Sequence, residues 1–314
     1  MQRLLAGGDG PAHVLYPQAG RANGAGHHNL AWEVGTDSRF RPSKGGWYEV
    51  AHEIAVERPK IAFVSSEAFE FKRPARVLTT IATVQSGVID RIDGLVYLRP
   101  HASRLLSSFA ERVKRGIAPF DRAAFLDLAL SGARFRYMQR IDRWRKHLAP
   151  GRLEIRVFHP STLRRGDIVS DVFETVLQTS PPLLSGKPHN IAPSAMTLLM
   201  MQMQGAAFTA ASGPQTARAR ARAIQSATGT FGDGPRPQWS KAEAERIRTA
   251  CRADALALDT LLGGTTFVSA LNEAVDMATS TAFSTEPMMS IMAQTAIAAA
   301  RLPPQLSIAS EPRP

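Results

Sequence analysis

Residues 94–109 read GLVYLRPHASRLLSSF, and this stretch decides the fold class of the chain. The apolar run Leu95–Leu98 has the length and composition of a buried β-strand, and it stops at the charged residue Arg99. A helix is expected over residues 101–115, where apolar residues recur four positions apart: Leu105, Phe109 and Val113. A strand, a charged tip and a helix in this order are typical of one βα unit of a parallel sheet.

Similar segments lie on both sides of this stretch. Further strands are expected at residues 60–66 and 153–159, and helices at residues 47–59, 73–88 and 121–148. Strands that alternate with helices predict an α/β fold with a parallel sheet flanked by helices. We therefore predict one α/β domain over residues 1–263, with a helical C-terminal part from about residue 186. An Ala-, Ser- and Met-rich tail over residues 264–314 is expected to be partly helical or disordered.

The composition limits the functional classes. The chain has 314 residues, a formal net charge of +11 and one cysteine, Cys251. A basic chain favours anionic partners, although a GC-rich genome also produces many arginines. A single cysteine allows no internal disulfide, and no cysteine–histidine pattern indicates a zinc site. No apolar run reaches the ~18 residues of a membrane span and no secretory signal is recognisable, so the cytoplasm is the expected compartment.

Arg99 stands where parallel sheets bind ligands, just beyond the carboxyl end of a strand. Its guanidinium can hold a phosphate through two parallel hydrogen bonds. Ser103 and Ser107 lie four residues apart on the helix that follows, away from the apolar stripe. The arginine and a serine hydroxyl could therefore bind one phosphate. The alternative is a surface arginine followed by solvated serines.

VYLRPHASRLLSSF resembles the 3′-phosphate-binding segment of sulfotransferases that use 3′-phosphoadenosine 5′-phosphosulfate (PAPS). That segment is an apolar strand, an arginine, seven residues, a serine and an aromatic-bearing helix. The resemblance implies that Arg99 and Ser107 bind the 3′-phosphate of PAPS, which serves as co-substrate. It also implies a P-loop-NTPase-like sulfotransferase fold. The implied reaction moves a sulfonate to a hydroxyl of a saccharide or related acceptor, and it requires no metal.

Four other stretches are similar to bacterial, carbohydrate-type members of this family: VLYPQAGRANGAGHHNLAWE, KIAFVSSEAFEF, FHPSTLRRGDIVSDVFETVL and PHNIAPSAMTLLM. The family also holds the sulfonate and the 5′-phosphate with an N-terminal strand, a loop of glycine, a basic residue and Ser/Thr, and a helix. GxxxxGK[ST] does not occur here, and GRANGAG lacks a basic residue at the right place and a preceding strand. We therefore expect a misplaced start or an N-terminally truncated, degenerate relative. As given, the chain is expected to be inactive or poorly stable.

Sulfonate transfer needs a base for the acceptor hydroxyl. Glu67 follows the strand KIAFVSS, where the resemblance implies a histidine or glutamate base. Alternatively it is a carboxylate at a helix start, or it pairs with Lys72 or Arg73. His27 and His28 lie in a Gly-rich loop, and either assist proton transfer and orient the substrate or are turn residues. The catalytic candidates are therefore Glu67 and His28.

Three other features read as structural. Asp167 and Asp171 are typical of acids at a helix start, and the run LMMQMQ is typical of core or interface filler. The densest arginine cluster, residues 218–222, alternates with alanine and indicates a solvated helix face or, alternatively, a nucleic-acid-binding arm.

Three functions stay open. The first is a PAPS-dependent sulfotransferase, and the second is a degenerate relative that binds nucleotide or glycan without catalysis. The third is a basic nucleic-acid-binding protein, for which binding would depend steeply on salt and would not respond to Arg99→Ala.

Overall fold

The computed structural model describes residues 1–8, 10–22, 24–84, 87–181, 193–212, 221 and 234–278. These residues form a mixed α/β protein with eleven α-helices and four short strands in two parallel sheets. The chain divides into two compact units. The first comprises Met1–Pro100, Arg136–Lys187 and Thr260–Gly264, and the second comprises His101–Phe135, Pro188–Asp259 and Thr265–Pro314.

All the strands that the structure describes lie in the first unit. β1 (Val14–Leu15) pairs in parallel with β2 (Ile61–Ala62), and β3 (Gly94–Leu98) pairs in parallel with β4 (Leu153–Val157). The pairing confirms the predicted strand direction, but the described strands form two separate sheets instead of the single predicted sheet. The strand expected at residues 60–66 is also shorter than predicted, since its paired part ends at Ala62.

In chain order, the α-helices are α1 (Gln2–Ala6), α2 (His28–Val34), α3 (Trp47–Glu57), α4 (Pro74–Val84), α5 (His101–Lys114), α6 (Arg122–Ser131), α7 (Met138–Leu148), α8 (Ile168–Asp171), α9 (Ala195–Ser212), α10 (Lys241–Leu262) and α11 (Thr266–Asp276). Short 3₁₀-helices cover Pro42–Lys44, Glu67–Phe71, Ala133–Phe135 and Arg164–Gly166, and a π-helix covers Val172–Val176.

Two predicted helices are interrupted in the structure. The helix expected at residues 121–148 is divided into α6 and α7, because Gly132 takes an extended conformation at the end of α6. The helix expected after Asp167 changes from α to π geometry at Val172. Asp167 itself accepts a hydrogen bond from the Ser170 N–H, which confirms the predicted helix-start acid.

Two hydrophobic clusters stabilise the first unit. The first joins α2, α3 and α4, and its buried members are Leu30, Val34, Trp47, Val50, Ile54, Val77 and Ile81. The buried members of the second are Leu5, Tyr16, Val169, Val172, Phe173 and Leu177. Val14, Phe63 and Tyr97 pack against this second cluster. Side chains from both sheets therefore share one core.

The second unit is helical in its described part. The apolar stripe predicted for α5 is confirmed, because Leu105, Phe109 and Val113 are fully buried. The ring centroids of Phe109 and Phe125 lie 5.2 Å apart. The Ser240 hydroxyl and the Glu243 carboxylate form a reciprocal cap at the start of α10.

The remaining sequence predictions have different outcomes. Met200 and Met201 of the methionine run are buried, which agrees with a packing role. The arginine cluster at residues 218–222, apart from Ala221, and the tail beyond residue 278 lie outside the described residues. Among the described helices, none combines the length and apolarity that a membrane crossing needs.

β3 is less buried than its apolar sequence predicts. Leu98 is buried, whereas Leu95, Val96 and Tyr97 are half-buried. The register places Tyr97 beside Arg156 of β4, so the two side chains share one face of the sheet. That face is polar, because its aromatic hydroxyl and guanidinium both bind a carboxylate from α8.

This carboxylate belongs to Asp171, which is fully buried. The Tyr97 hydroxyl donates to Asp171 Oδ2 at 2.6 Å, and Arg156 donates from Nε and Nη2 at 2.6 and 2.8 Å. The Arg164 N–H donates to Asp171 Oδ1 at 3.0 Å. Burial alone would raise the pKa of Asp171, but the hydrogen bonds from Arg156 and Tyr97 outweigh it and hold that pKa below its usual value. Asp171 is therefore a buried ion-pair partner rather than a simple helix-start acid.

We expect Asp171→Asn to lower the free energy of unfolding by about 3 kcal/mol, because it leaves Arg156 without its buried counter-charge. Urea denaturation at pH 7 measures this change. The matched control is Glu154→Gln, which removes the other carboxylate of Arg156, an exposed one at 3.3 Å. That control should change stability by less than about 0.5 kcal/mol. Equal effects of the two substitutions would contradict the assignment.

Candidate functional site

The candidate site lies where the chain leaves β2. Residues beyond Ala62 stay extended until the 3₁₀-helix Glu67–Phe71 begins. Ser66 caps this helix, because its Oγ accepts a hydrogen bond from the Ala68 N–H at 3.1 Å. The cap turns the Glu67 side chain outward, and 77% of that side chain is exposed.

The structure brings the two predicted catalytic residues together. His28 Nε2 lies 3.7 Å from Glu67 Oε2, although 39 residues separate them in the sequence. His28 Nδ1 lies 2.8 Å from Ser66 Oγ. Lys72, the alternative partner weighed for Glu67, instead lies 3.8 Å from the Asp37 carboxylate. At this spacing the imidazole and the carboxylate can attract each other electrostatically, but they do not form a direct hydrogen bond.

The two neighbouring histidines have different roles. His27 is fully buried, whereas the side chain of His28 is 20% exposed and faces Ser66 and Glu67. The backbone N–H of His27 donates to the Ser65 carbonyl at 2.8 Å, and the Ser65 N–H donates to His27 Nδ1 at 3.1 Å. His27 is therefore structural, and of the two histidines His28 is the one that lies in the candidate site.

The protonation of His27 follows from its partners. Its Nε2 donates to the Pro17 carbonyl at 2.9 Å, and its Nδ1 accepts from the Ser65 N–H, so the ring carries one proton. Burial lowers the pKa of His27 to about 4. The neutral ring ties the turn after β1 to the end of β2, and this fixes the place where α2 begins.

Other residues lie close to the imidazoles of His27 and His28. The Tyr16 ring lies 4.4 Å from the His27 ring, and its hydroxyl donates to the Ala25 carbonyl at 2.7 Å. Burial raises the pKa of Tyr16 to about 12. Gln2 Nε2 donates to Ser65 Oγ at 3.0 Å. A Cβ on Gly26 would lie only 2.8 Å from His28 Nε2, so glycine at this position leaves room for the His28 ring.

Arg99 lies at the end of β3, as predicted. Its guanidinium stacks over the Phe158 ring, with the central carbon 4.7 Å from the ring centroid. Phe158 follows β4, so the tips of the paired strands meet there. The Arg99 carbonyl accepts a hydrogen bond from the Tyr137 hydroxyl at 2.8 Å. Stacking on an aromatic face is a contact that the planar guanidinium of arginine favours.

One helix turn links the tips of β2 and β3. Tyr137 precedes α7 and binds the Arg99 carbonyl, while Arg140 of α7 forms an ion pair with Glu70 in the 3₁₀-helix after β2. The Arg140 N–H donates to the Tyr137 carbonyl at 2.9 Å, so both contacts come from one turn. Arg99 and the His28–Glu67 pair therefore lie at the same end of the first unit.

The predicted pairing of Arg99 with Ser107 stays a prediction. Ser107 lies on α5, and it is exposed, as is Ser103 one turn earlier. Arg99 belongs to the first unit and Ser107 to the second. Two residues of the site were missed by sequence reasoning, namely Ser66 and Gln2. The Ser-Ser-Glu sequence after an apolar strand could have indicated the helix cap at Ser66.

Within the described ranges, no group of three or more His, Cys, Asp or Glu side chains could hold a metal ion. Comparison of the chain with models of protein families, with curated proteins and with solved structures finds no match.

We expect acid to destabilise the chain through His27. The unfolded chain binds a proton at the usual histidine pKa, near 6.5, whereas the folded chain binds it only near pH 4. As the pH falls between these values the unfolded state takes up more protons, so the stabilisation present above pH 6.5 is lost. The loss amounts to at most about 3 kcal/mol.

Urea denaturation at several pH values between 7 and 4 measures this effect. His27→Gln should lower stability at pH 7 and flatten the pH dependence in this window. His52→Gln is the matched control, since His52 is exposed on α3, and it should leave the dependence unchanged. A slope that survives in His27→Gln would show that other groups cause it.

Proposed function

We propose that the chain is a PAPS-dependent sulfotransferase-like protein that transfers a sulfonate to a hydroxyl of a saccharide or related acceptor. The observation that carries the proposal is the link through α7 between Arg99 and the His28–Glu67 pair. This arrangement supplies a cation for a phosphate and a base for a hydroxyl at the same end of one unit. The family resemblance adds the nucleotide and the acceptor class.

In this proposal Glu67 is the base. Its carboxylate accepts the proton of the acceptor hydroxyl while the acceptor oxygen bonds to sulfur and the bond from sulfur to the 5′-phosphate breaks. His28 Nε2 lies 3.7 Å from Glu67 Oε2 and, when it carries the ring proton, attracts and orients the carboxylate. Arg99 binds the 3′-phosphate through charge-assisted hydrogen bonds. Positioning and charge stabilisation supply most of the catalysis in such transfers.

We also propose the finer fold class, a P-loop-NTPase-like sulfotransferase fold. In that fold a central strand carries the phosphate loop and pairs with strands on both sides. The described strands form two parallel pairs that share one hydrophobic cluster, which is compatible with that order. The pairing supports the fold class without identifying the loop.

A second candidate is a relative that binds nucleotide or glycan without catalysis. The sequence favours it in one respect, because GxxxxGK[ST] does not occur in it. Both candidates predict nucleotide binding through Arg99. They differ in whether sulfonate transfer follows.

We expect Arg99→Ala to weaken binding of adenosine 3′,5′-bisphosphate about 10- to 100-fold, because charge-assisted hydrogen bonds contribute about 1.5–3 kcal/mol. Isothermal titration calorimetry measures the affinity. Arg99→Lys should give an intermediate affinity, since lysine keeps the charge but not the planar fork. Arg91→Ala removes an exposed arginine of the same unit and should have no effect. A folded chain that does not bind the nucleotide, or binds it equally well after Arg99→Ala, would contradict the proposal.

We expect Glu67→Gln to lower kcat for sulfonate transfer about 10²- to 10⁴-fold, with nucleotide affinity unchanged, because the amide cannot accept the proton. The assay follows labelled sulfonate from PAPS to neutral mono- and disaccharides. Glu57→Gln, which changes an acid at the end of α3, is the control. Nucleotide binding without transfer by the unaltered chain would favour the non-catalytic relative.

A further inference from the structure

Ser66, which the proposed sulfonate transfer does not use, contacts the His28 of that site through a hydrogen bond. Its Oγ accepts from the Ala68 N–H at 3.1 Å and lies 2.8 Å from His28 Nδ1. On the other side of the ring, His28 Nε2 lies 3.7 Å from Glu67 Oε2. A serine, a histidine and a carboxylate therefore follow one another across a single imidazole.

The proton positions follow from the partners. A neutral imidazole carries one N–H, and the Glu67 carboxylate favours the tautomer with this proton on Nε2, the ring nitrogen on its side. Nδ1 is then an acceptor, and the Ser66 hydroxyl donates to it. A serine whose proton points at an acceptor nitrogen, with a carboxylate behind that nitrogen's ring, has the arrangement that activates serine nucleophiles.

We propose that Ser66 is a nucleophile, activated by His28 and positioned through Glu67, that accepts an acyl group from an activated ester. Ser66 is half-buried beside an exposed Glu67, so a small electrophile can reach its Oγ. The proposal uses the side chains near the transfer site but does not rest on sulfonate transfer.

The chemical step balances without any further reactant except water. Ser66 Oγ bonds to the ester carbonyl carbon while its proton moves to His28 Nδ1. The carbon–oxygen bond of the ester then breaks, and the leaving alcohol takes the proton from Nδ1. Water attacks the acyl-serine in the same way, releases the carboxylic acid and returns the proton to Ser66. Glu67 acts through His28 by stabilising the imidazolium, so it is a positioning residue here.

The chain contains an internal comparison. Ser161 Oγ lies 2.7 Å from His159 Nδ1, on an exposed segment after β4. Among the described residues, no acidic side chain forms an ion pair with this histidine. Both pairs have the same serine–histidine contact, and only the pair at Ser66 has a carboxylate behind it. If the carboxylate matters, Ser66 should react and Ser161 should not.

The test treats the full chain with a fluorophosphonate probe and locates the label by peptide mass spectrometry. Attack by Ser66 Oγ forms an oxygen–phosphorus bond and expels fluoride. We expect label on Ser66 and none on Ser161. His28→Asn should slow labelling at least about 100-fold, the usual minimum for losing a general base. Hydrolysis of p-nitrophenyl acetate should fall in parallel.

The controls separate reactivity from folding. Glu67→Gln alters an exposed side chain, so the variant should fold, and it should slow labelling while Glu67→Asp restores part of the rate. Ser66→Ala should abolish the label yet leave adenosine 3′,5′-bisphosphate binding unchanged, which separates this proposal from the proposed function. Absence of label on Ser66 in the folded chain would overturn the inference. Equal labelling of Ser66 and Ser161, or labelling unchanged in His28→Asn and Glu67→Gln, would do the same.

Discussion

The candidate site depends on one buried, neutral imidazole. His27 joins the turn at Pro17 to the end of β2 at Ser65, and each of its ring nitrogens has a backbone partner. A neutral histidine suits this role, because it donates on one side and accepts on the other without placing a charge in the core. The position of His28 follows directly, since it is the next residue and begins α2. The contacts between His28, Ser66 and Glu67 therefore rest on a residue that itself does no chemistry.

The strand pair that carries Arg99 is organised by charge. Asp171 binds Tyr97 of β3 and Arg156 of β4, so the register of these strands is stabilised by a buried carboxylate as well as by apolar packing. Burying a charge is favourable only when its hydrogen bonds are satisfied, and here both carboxylate oxygens have partners. The strand that carries Arg99 is thereby held through the hydrogen bond from Tyr97 to Asp171. A rigid strand tip is the property that a phosphate ligand needs.

The sequence predicted the local units and missed the contacts across them. β3, Arg99 and the apolar stripe of α5 could be predicted because hydrophobic period and turn residues are local signals. The different roles of His27 and His28 could not be predicted, since they depend on residues about 38 positions away in the sequence. The same reason hid the role of Asp171, which binds Tyr97 in a strand 74 residues earlier in the sequence. β3 was predicted to be a buried strand with two apolar faces. In the structure one of these faces is polar instead.

The contacts of the first turn of α7 with both segments affect which changes in loop length the chain can accept. Tyr137 and Arg140 set the spacing between the segment after β2 and the end of β3, so the intervening connection does not have to set it. A connection that does not determine this spacing tolerates changes in length, because closing a longer loop costs little additional free energy. Insertions between α4 and β3 should thus leave the spacing intact, and a shift of one turn in α7 should not. α7, rather than the loop that joins the two strands, determines the spacing at this end of the first unit.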